Sequence, residues 1–418
     1  MIHALLPSAP HSASPAPGAP PARVLLVVSS LEHGGAERQV VELARNLDPR
    51  RFDPVVCSLS DDVPLAGLLP DPARQLVIVR KRWRFDAATV PRVARLMRKL
   101  GTQVAHGFLF DAEIVARAAG RLAGVPVIVG SERNSDYRRP RLQLLALRAT
   151  RRWVQAVVAN SEAGRRFGLR TLGLPADSVH VIPNGVDVAR FSPGDAAAAR
   201  RTLGLPPDRP VVGMVASFKP QKNHPMFLDV ARRVLAREPR ALFLCAGEPL
   251  RGAGGAFSLR AGTGAHRDVA GYHREVARSL GEGALAESCR LLGRVDEVER
   301  VYRACDVTVL TSRHEGTPNV VLESMACAVP VVVTDVADNA RLVGDGVAGY
   351  VVPLDDAPAM AARVLDLLGD DARRRQMGRA ARAHVESAFS LAAMARRTEE
   401  LYATLLARAG IAGGGVTA

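Results

Sequence analysis

Short runs of Val, Ile, Leu and Ala recur along the chain, each closed by Gly, Pro or a polar tip. The first, RVLLVVSSL (Arg23 to Leu31), has Pro before it and Gly-Gly after it. An unbroken apolar run of that length reads as a strand buried on both faces, the form parallel strands take. In the following GGAERQVVELARNL, Val40, Val41, Leu43, Ala44 and Leu47 repeat at helical spacing. PVVCSL, QLVIV, VAHGF, PVIVGS, VQAVVAN and VHVIP continue the strand series, and helical patterns such as VPRVARLMRKL and AEIVARAAGRLAG separate several of them. This alternation predicts a doubly wound α/β sheet. The turn-rich NGVDVARFSPGD breaks the rhythm near residues 184–195, and a second series begins at PVVGMVAS (Pro210 to Ser217). ALFLCAG, CRLLGRV, VTVLTS, VPVVVTD and GYVV follow. The expected organisation is a tail over 1–22, one α/β domain over 23–190, a similar one over 191–390, and a C-terminal helix with a loose tail over 391–418. The Gly-rich RGAGGAFSLRAGTGAHRD (Arg251 to Asp268) predicts a surface loop inserted after ALFLCAG.

Length and composition agree with this division. A chain of 418 residues exceeds one ordinary core, and 48% hydrophobic with 23% charged residues is a globular composition. The net charge is +14, and residues 1–193 hold 27 basic against 16 acidic side chains, +11 of that excess. Such a charge suits an anionic partner: nucleic acid, anionic lipid or a phosphorylated substrate. Aromatic content of 4%, without aromatic–basic interleaving, argues against nucleic acid. Cys57, Cys245, Cys289, Cys305 and Cys327 are scattered without a CxxC pair. They read as small apolar core residues in a reducing compartment. Residues 1–22 lack a basic start and a long apolar run, so they read as a disordered Pro/Ala tail and not as a signal peptide. No window approaches the ~18 apolar residues of a membrane span. The expected location is cytoplasmic, with a peripheral place on the inner face of a membrane open.

RHEGTPNVVLESMACAVPVVVTD (Arg313 to Asp335) carries two carboxylates, Glu315 in a turn and Glu323 in a helical pattern, between two buried runs. Thr317 is the expected N-cap, with Pro318 at the first helical position. The first-turn N–H groups of such a helix make an anion site, strongest for phosphate. Ligands of open α/β sheets bind at the carboxyl edge, where this segment lies. A carboxylate at Glu323 suits the two hydroxyls of a ribose, and Glu315 the hydroxyls of a second sugar across a diphosphate. Two glutamates eight positions apart also occur as ordinary solvated or salt-bridged residues, so their neighbours decide. MVASFKPQKNH puts Lys219 and Lys222 at the same edge, where ammonium groups can neutralise a diphosphate and stabilise it as it leaves. In the first domain, His33-Gly34-Gly35-Ala36-Glu37 joins the first strand to a helix. Gly34 and Gly35 either admit a phosphate close to the backbone or simply make a tight turn. Arg23–Ala36 lacks GxGxxG, which argues against a dinucleotide oxidoreductase.

In this order, the segments resemble the family 4 retaining glycosyltransferases of the GT-B fold. The shared motifs are GGAE at 34–37, IPNGVD at 182–187, EGTPNVVLE at 315–323 and PVVVTD at 330–335. LLGRVDEV at 291–298 and CDVTVLTS at 305–312 match the flanking strands, and the likeness covers roughly residues 23–405. The resemblance implies two Rossmann-like, doubly wound domains facing a central cleft. The first would hold a glycan or lipid-linked acceptor, and the second a nucleotide-diphosphate sugar, UDP- or GDP-linked, as donor substrate with no cofactor. Carried over, Glu323 meets the ribose, Glu315 the transferred sugar, and Lys222 the phosphates. The amides near Gly316, Asn319 and Val320 meet the diphosphate or sugar, and Arg294 and Val295 lie by the base. Gly34 and Gly35 join the donor side, and the product would be a cell-surface polysaccharide.

The departures fall on charged and glycine positions. Ser217 stands where the family has Arg, leaving Lys219 as candidate for the second positive charge. Ala337-Asp338 replaces Gly-Gly, and Arg341 replaces a common Glu. Of the family's His-x-His in VAHGF only His106 survives, with Asp111 and Glu113 following. His106 and Asp111 are candidate acceptor bases, and His106 is equally readable as a core histidine. Arg133 is the candidate acceptor-binding cation. The basic run RRPRLQLLALRATRRW (Arg138 to Trp153) is either a solvated helix face or a contact for a lipid-pyrophosphate acceptor at an anionic membrane surface. The chain has no Asp-x-Asp pair, so no metal is expected on the diphosphate. Alternatives are a nucleotide-sugar epimerase or hydrolase of the same fold, or a basic nucleic-acid-binding protein.

Overall fold

The computed structural model describes residues 20–83, 86–133, 139–247 and 267–411. Most of the N-terminal Pro/Ala tail, residues 251–266 of the Gly-rich insertion, Arg138 of the basic run and the last seven residues lie outside the described residues. The chain forms two compact units, residues 1–185 with 391–418, and residues 186–390.

The first unit is a seven-stranded parallel sheet in the order β3-β2-β1-β4-β5-β6-β7. Its strands are β1 (Ala22–Val28), β2 (Phe52–Ser58), β3 (Leu76–Ile78), β4 (Val104–Phe108), β5 (Val127–Glu132), β6 (Ala156–Ala159) and β7 (Val179–Val181). Alternation along β1 explains its continuous apolar sequence. Val24, Leu26 and Val28 enter one hydrophobic layer, and Leu25 and Val27 enter the layer on the other face. The helix Leu391–Arg408 belongs to this unit and is not a separate appendage: Leu401, Tyr402, Leu405 and Leu406 are buried in the layer that holds Val24 and Leu26. Burying each such side chain contributes about 1.5–3 kcal/mol, enough to hold the helix to its sheet. Glu399 adds polar ties, accepting from the Asp48 amide at 2.6 Å and pairing with Arg51 at 3.3 Å.

The second unit is a six-stranded parallel sheet in the order β10-β9-β8-β11-β12-β13. It comprises β8 (Val211–Val215), β9 (Leu242–Ala246), β10 (Cys289–Gly293), β11 (Val307–Leu310), β12 (Val331–Thr334) and β13 (Gly349–Val352). The boundary between units falls after Gly185, inside IPNGVD and five residues before the expected one. Each sheet starts centrally, winds outward, then returns to wind the other way. Strand order therefore reverses between β1 and β4 in the first unit and between β8 and β11 in the second. Loops leaving adjacent strands diverge at such a point and open a crevice at their carboxyl ends.

All five cysteines are free; Cys57, Cys245, Cys305 and Cys327 are buried. Burial pushes the Cys57 and Cys245 thiols up to about 12, so they behave as small apolar residues, as expected from their scatter. The Ala337-Asp338 departure gains a physical meaning. Ala337 has φ 51°, the left-handed region that glycine occupies without penalty. Ala337→Gly should stabilise the second unit by about 0.5–1 kcal/mol, seen as a higher urea midpoint. An unchanged or lower midpoint would show that the turn relaxes around alanine.

Candidate functional site

The segments that follow β8 and β11 carry Lys219, Lys222, Glu315, Gly316, Asn319, Val320 and Glu323. The turn after β8 and the turn after β11 are sewn together. Arg313 N donates to the Gln221 carbonyl at 2.9 Å, and Gln221 Nε2 to the His314 carbonyl at 2.7 Å. Thr311 Oγ1 donates to the Lys222 carbonyl at 2.8 Å. Asn223 adopts φ 53° and its amide reaches Asp355 Oδ1 at 2.8 Å, so the chain reverses directly after Lys222. Lys222 Nζ consequently lies 2.5 Å from Glu315 Oε1, with side chains only 16% and 9% exposed. The resemblance assigned these residues to different parts of one ligand; the fold makes them an ion pair. Such a partly buried pair is costly to break by removing one member, because the other charge stays desolvated.

Gly316 and Thr317 are buried beside this pair, and the helix Asn319–Ala326 follows. Pro318, at ψ 116°, is the N-cap in place of Thr317, and Asn319 is the first helical residue. Pro318 is still extended, which shifts the start by one position and leaves its carbonyl to receive the Val321 and Leu322 amides. The N–H groups of Asn319 and Val320 stand ahead of that first internal bond, at the positive end of the helix. Glu323 lies about one turn further on. Tyr302 Oη donates to Glu323 Oε2 at 2.7 Å, a partner that sequence reasoning did not single out. Its one sequence signal was a lone aromatic in VERVYRA, since a buried tyrosine normally finds a partner for its hydroxyl. Burial and the adjacent Glu323 charge push the Tyr302 phenol well above its usual value, so it remains a donor.

Lys219 is exposed at the lip of the same turn, without a carboxylate partner among the described residues. Arg294 and Val295 follow Gly293 (φ 64°) at the end of β10, the sheet edge two strands from the reversal. Arg294 pairs with Asp296 at 3.3 Å, while Val295 packs against the core.

The first unit's reversal treats its candidates differently. A Cβ at Gly34 would lie 1.9 Å from Glu37 Oε2, so the glycine makes room for this chain's own carboxylate. His106 on β4 is fully buried, with Nδ1 2.6 Å from Tyr402 Oη and Nε2 2.8 Å from Ser131 Oγ. Both ring nitrogens are engaged, the arrangement of the core-histidine reading. Asp111 is half-exposed and paired with Lys81 at 2.9 Å; Glu113 is buried against Arg117. Arg133 lies over the Phe108 ring at 5.0 Å and donates to Asn184 Oδ1 at 3.0 Å. Burial pushes its guanidinium down to about 10, still a cation at neutral pH. Between Phe108 and this cluster, Leu109 takes φ 66° and ψ 156°, a conformation that costs a side-chain-bearing residue about 1–3 kcal/mol.

Comparison with known proteins agrees with the two halves separately. The family model described as Glycosyltransferase Family 4 matches residues 33–190, and that described as Glycosyl transferases group 1 matches residues 209–370. D-inositol 3-phosphate glycosyltransferase of Nocardia farcinica is 34% identical over 270 residues, 62% of this chain and 56% of that protein's own length. An Escherichia coli UDP-Gal:alpha-D-GlcNAc-diphosphoundecaprenol alpha-1,3-galactosyltransferase is 24% identical over 373 residues, 85% of this chain and 88% of the other. Among solved structures, Anabaena Alr3699/HepE in complex with UDP superposes with a TM-score of 0.77 at 20% identity, over 91% of this chain and all of that one. That likeness shows the expected GT-B fold, two Rossmann-like parallel-sheet domains.

The buried histidines make stability depend on pH. Burial, with the Arg133 charge beside it, holds His106 well below 6.5, and burial pushes His224 in the second unit down to about 3. The unfolded chain binds these protons near pH 6.5 and the folded chain refuses them. Stability is therefore complete above that pH and falls as pH drops toward the folded values, by about 1.4 kcal/mol per unit for each histidine. Urea unfolding from pH 7.5 to 5 should show this slope, made shallower by His106→Gln. A flat profile would mean that the imidazoles are solvated.

Proposed function

The chain belongs to the family 4, group 1 glycosyltransferases, and we propose that it transfers a sugar from a nucleoside-diphosphate donor to a glycan or lipid-linked acceptor, with retention of anomeric configuration and without a metal. The Lys222–Glu315 pair at the β8/β11 reversal, one helix start away from Glu323, carries this proposal. The donor binds the second unit. Glu323 accepts from the ribose hydroxyls, and the Asn319 and Val320 amides face the diphosphate with Lys222. Arg294 and Val295 border the base. The diphosphate is the stronger counter-charge for Lys222, so donor binding turns Glu315 from the lysine toward the sugar hydroxyls. As the sugar–oxygen bond breaks, Lys222 and Lys219 stabilise the departing diphosphate, the role a metal plays elsewhere. The protein's contribution is positioning and leaving-group stabilisation.

The acceptor is assigned to the first unit, with Arg133 and Asp111 as its polar groups. The acceptor in the name of the Escherichia coli relative, a diphosphoundecaprenol-linked sugar, supports a lipid-linked substrate. No described helix is long and apolar enough to cross a membrane. The helix Arg141–Ala149 instead exposes Leu142 (79%) and Leu145 (58%), one turn apart, between Arg141 and Arg148. That combination suits a peripheral contact with an anionic surface.

A panel of UDP- and GDP-sugars should contain one that raises the melting temperature, since a ligand selective for the native state stabilises it by mass action. Glu323→Ala should weaken that ligand about tenfold or more, whereas Lys222→Ala should lower kcat by about 10²–10³ with a smaller change in KM. Wild-type activity in both variants would refute the site. EDTA should leave turnover unchanged; a large loss would overturn metal independence. Donor consumption that ignores every acceptor would instead mark a hydrolase.

A further inference from the structure

We propose that Tyr302 is a positioning residue for nucleotide recognition, holding the Glu323 carboxylate in the orientation that meets the ribose, and that the segment after IPNGVD holds Tyr302. This rests on the reading of Glu323 as the ribose ligand. A glutamate near the start of a helix has freely rotating side-chain torsions, and ordering such a side chain costs about 1–2 kcal/mol. Here that freedom is already spent before any ligand arrives. Tyr302 is 1% exposed, and its hydroxyl bonds Glu323 Oε2 at 2.7 Å across 21 positions of sequence. A carboxylate offers about four acceptor sites, so a bond to Tyr302 leaves capacity for a sugar diol.

The tyrosine is itself immobilised. Phe191, also buried, meets its ring edge-on with centroids 6.1 Å apart. Arg382 donates to the Phe191 carbonyl at 2.6 Å and to the Val188 carbonyl at 2.9 Å. The helix Val298–Ala304, which carries Tyr302, is clamped to the same segment from its own side. Arg303 Nε donates to the Ser192 carbonyl at 2.8 Å, and Arg190 makes two bonds to Glu299 Oε2, at 3.0 and 2.8 Å. All of these contacts lie inside the second unit. The stretch 188–192 thus acts as the far end of a chain running from Phe191 to Tyr302 to Glu323, and the order of the site depends on it.

Calorimetric titration of the full chain with UDP and GDP tests this. Tyr302→Phe keeps the ring and the fold and should bind the preferred nucleotide about tenfold more weakly; in turnover, KM for the donor rises while kcat changes less than about twofold. With the corresponding 2′,3′-dideoxynucleoside diphosphate, wild type and variant should bind alike, because no diol remains for Glu323 to accept. Phe191→Leu should give a smaller loss with the same dependence on the diol, which a purely structural role would not show. Equal affinity of wild type and Tyr302→Phe for the natural nucleotide would overturn the proposal. So would a penalty that persists with the dideoxy ligand. Wild type binding neither UDP nor GDP would overturn the donor assignment itself, and this inference with it.

Discussion

A lysine and a glutamate 2.5 Å apart, both largely covered, is the interaction on which the proposed donor site turns. Neither charge is sited by its own strand. Two loops leaving adjacent strands are stitched together by Gln221 and by Thr311, whose hydroxyl reaches the Lys222 and Asn223 carbonyls, and the side chains meet because the backbones have been tied first. A partly desolvated pair is weak evidence for stability, since its Coulomb gain is offset by lost hydration. Under the proposed function it is a good resting state for a site that takes a diphosphate. On that reading the lysine is kept in place and neutralised, and a donor that displaces the glutamate gives it new hydroxyl partners. The strand reversal supplies the space for this exchange, and the helix Asn319–Ala326 supplies fixed dipoles beside it.

The strands were legible because parallel strands covered on both faces must be apolar at consecutive positions, and few other elements produce runs of five bounded by Gly or Pro. RVLLVVSSL and PVVVTD became central strands for that reason. The docking of the last helix was not legible. Its apolar stripe announced that it would be buried, but amphipathicity does not name a partner. Only the fold shows Tyr402 returning to His106 on β4, with 296 positions between them. The same limit applies to the site. Glu315, Glu323 and Lys222 could be proposed from spacing and resemblance, because each sits at a predictable strand or helix end. Tyr302, in an ordinary amphipathic pattern, could not, because its importance lies in a contact across 21 residues.

Backbone strain separates the two units in a way composition did not suggest. In the second, Ala337 and Asn223 occupy left-handed turns that bracket the site's loops. Asparagine tolerates such a turn and alanine does so at a cost, so the missing family glycine is a loss of stability rather than a change of path. In the first, the outlier is Leu109, at the β1/β4 reversal, beside the aromatic and cationic contacts of His106, Phe108 and Arg133. Strain there persists only because Phe108 is packed on one side and a helix begins on the other. The conformation is imposed by the surroundings, and no glycine marks it in the sequence.

Charge is also divided by task. The second unit is close to neutral: Lys222 is opposed by one carboxylate, Arg303 is bound to backbone carbonyls, and Arg382 to backbone carbonyls and Glu386. Residues 1–193 carry most of the net +14. A compact diphosphate is best met by a few cations at fixed distances, because the interaction of close charges depends steeply on geometry in a covered site. A larger anionic partner gains more from a diffuse field, which is felt only to about a Debye length and weakens with salt. Under the proposed function, the donor is recognised by geometry and the acceptor side is approached by field. The same positive excess that first suggested an unspecified anion is therefore better evidence about the acceptor than about the nucleotide.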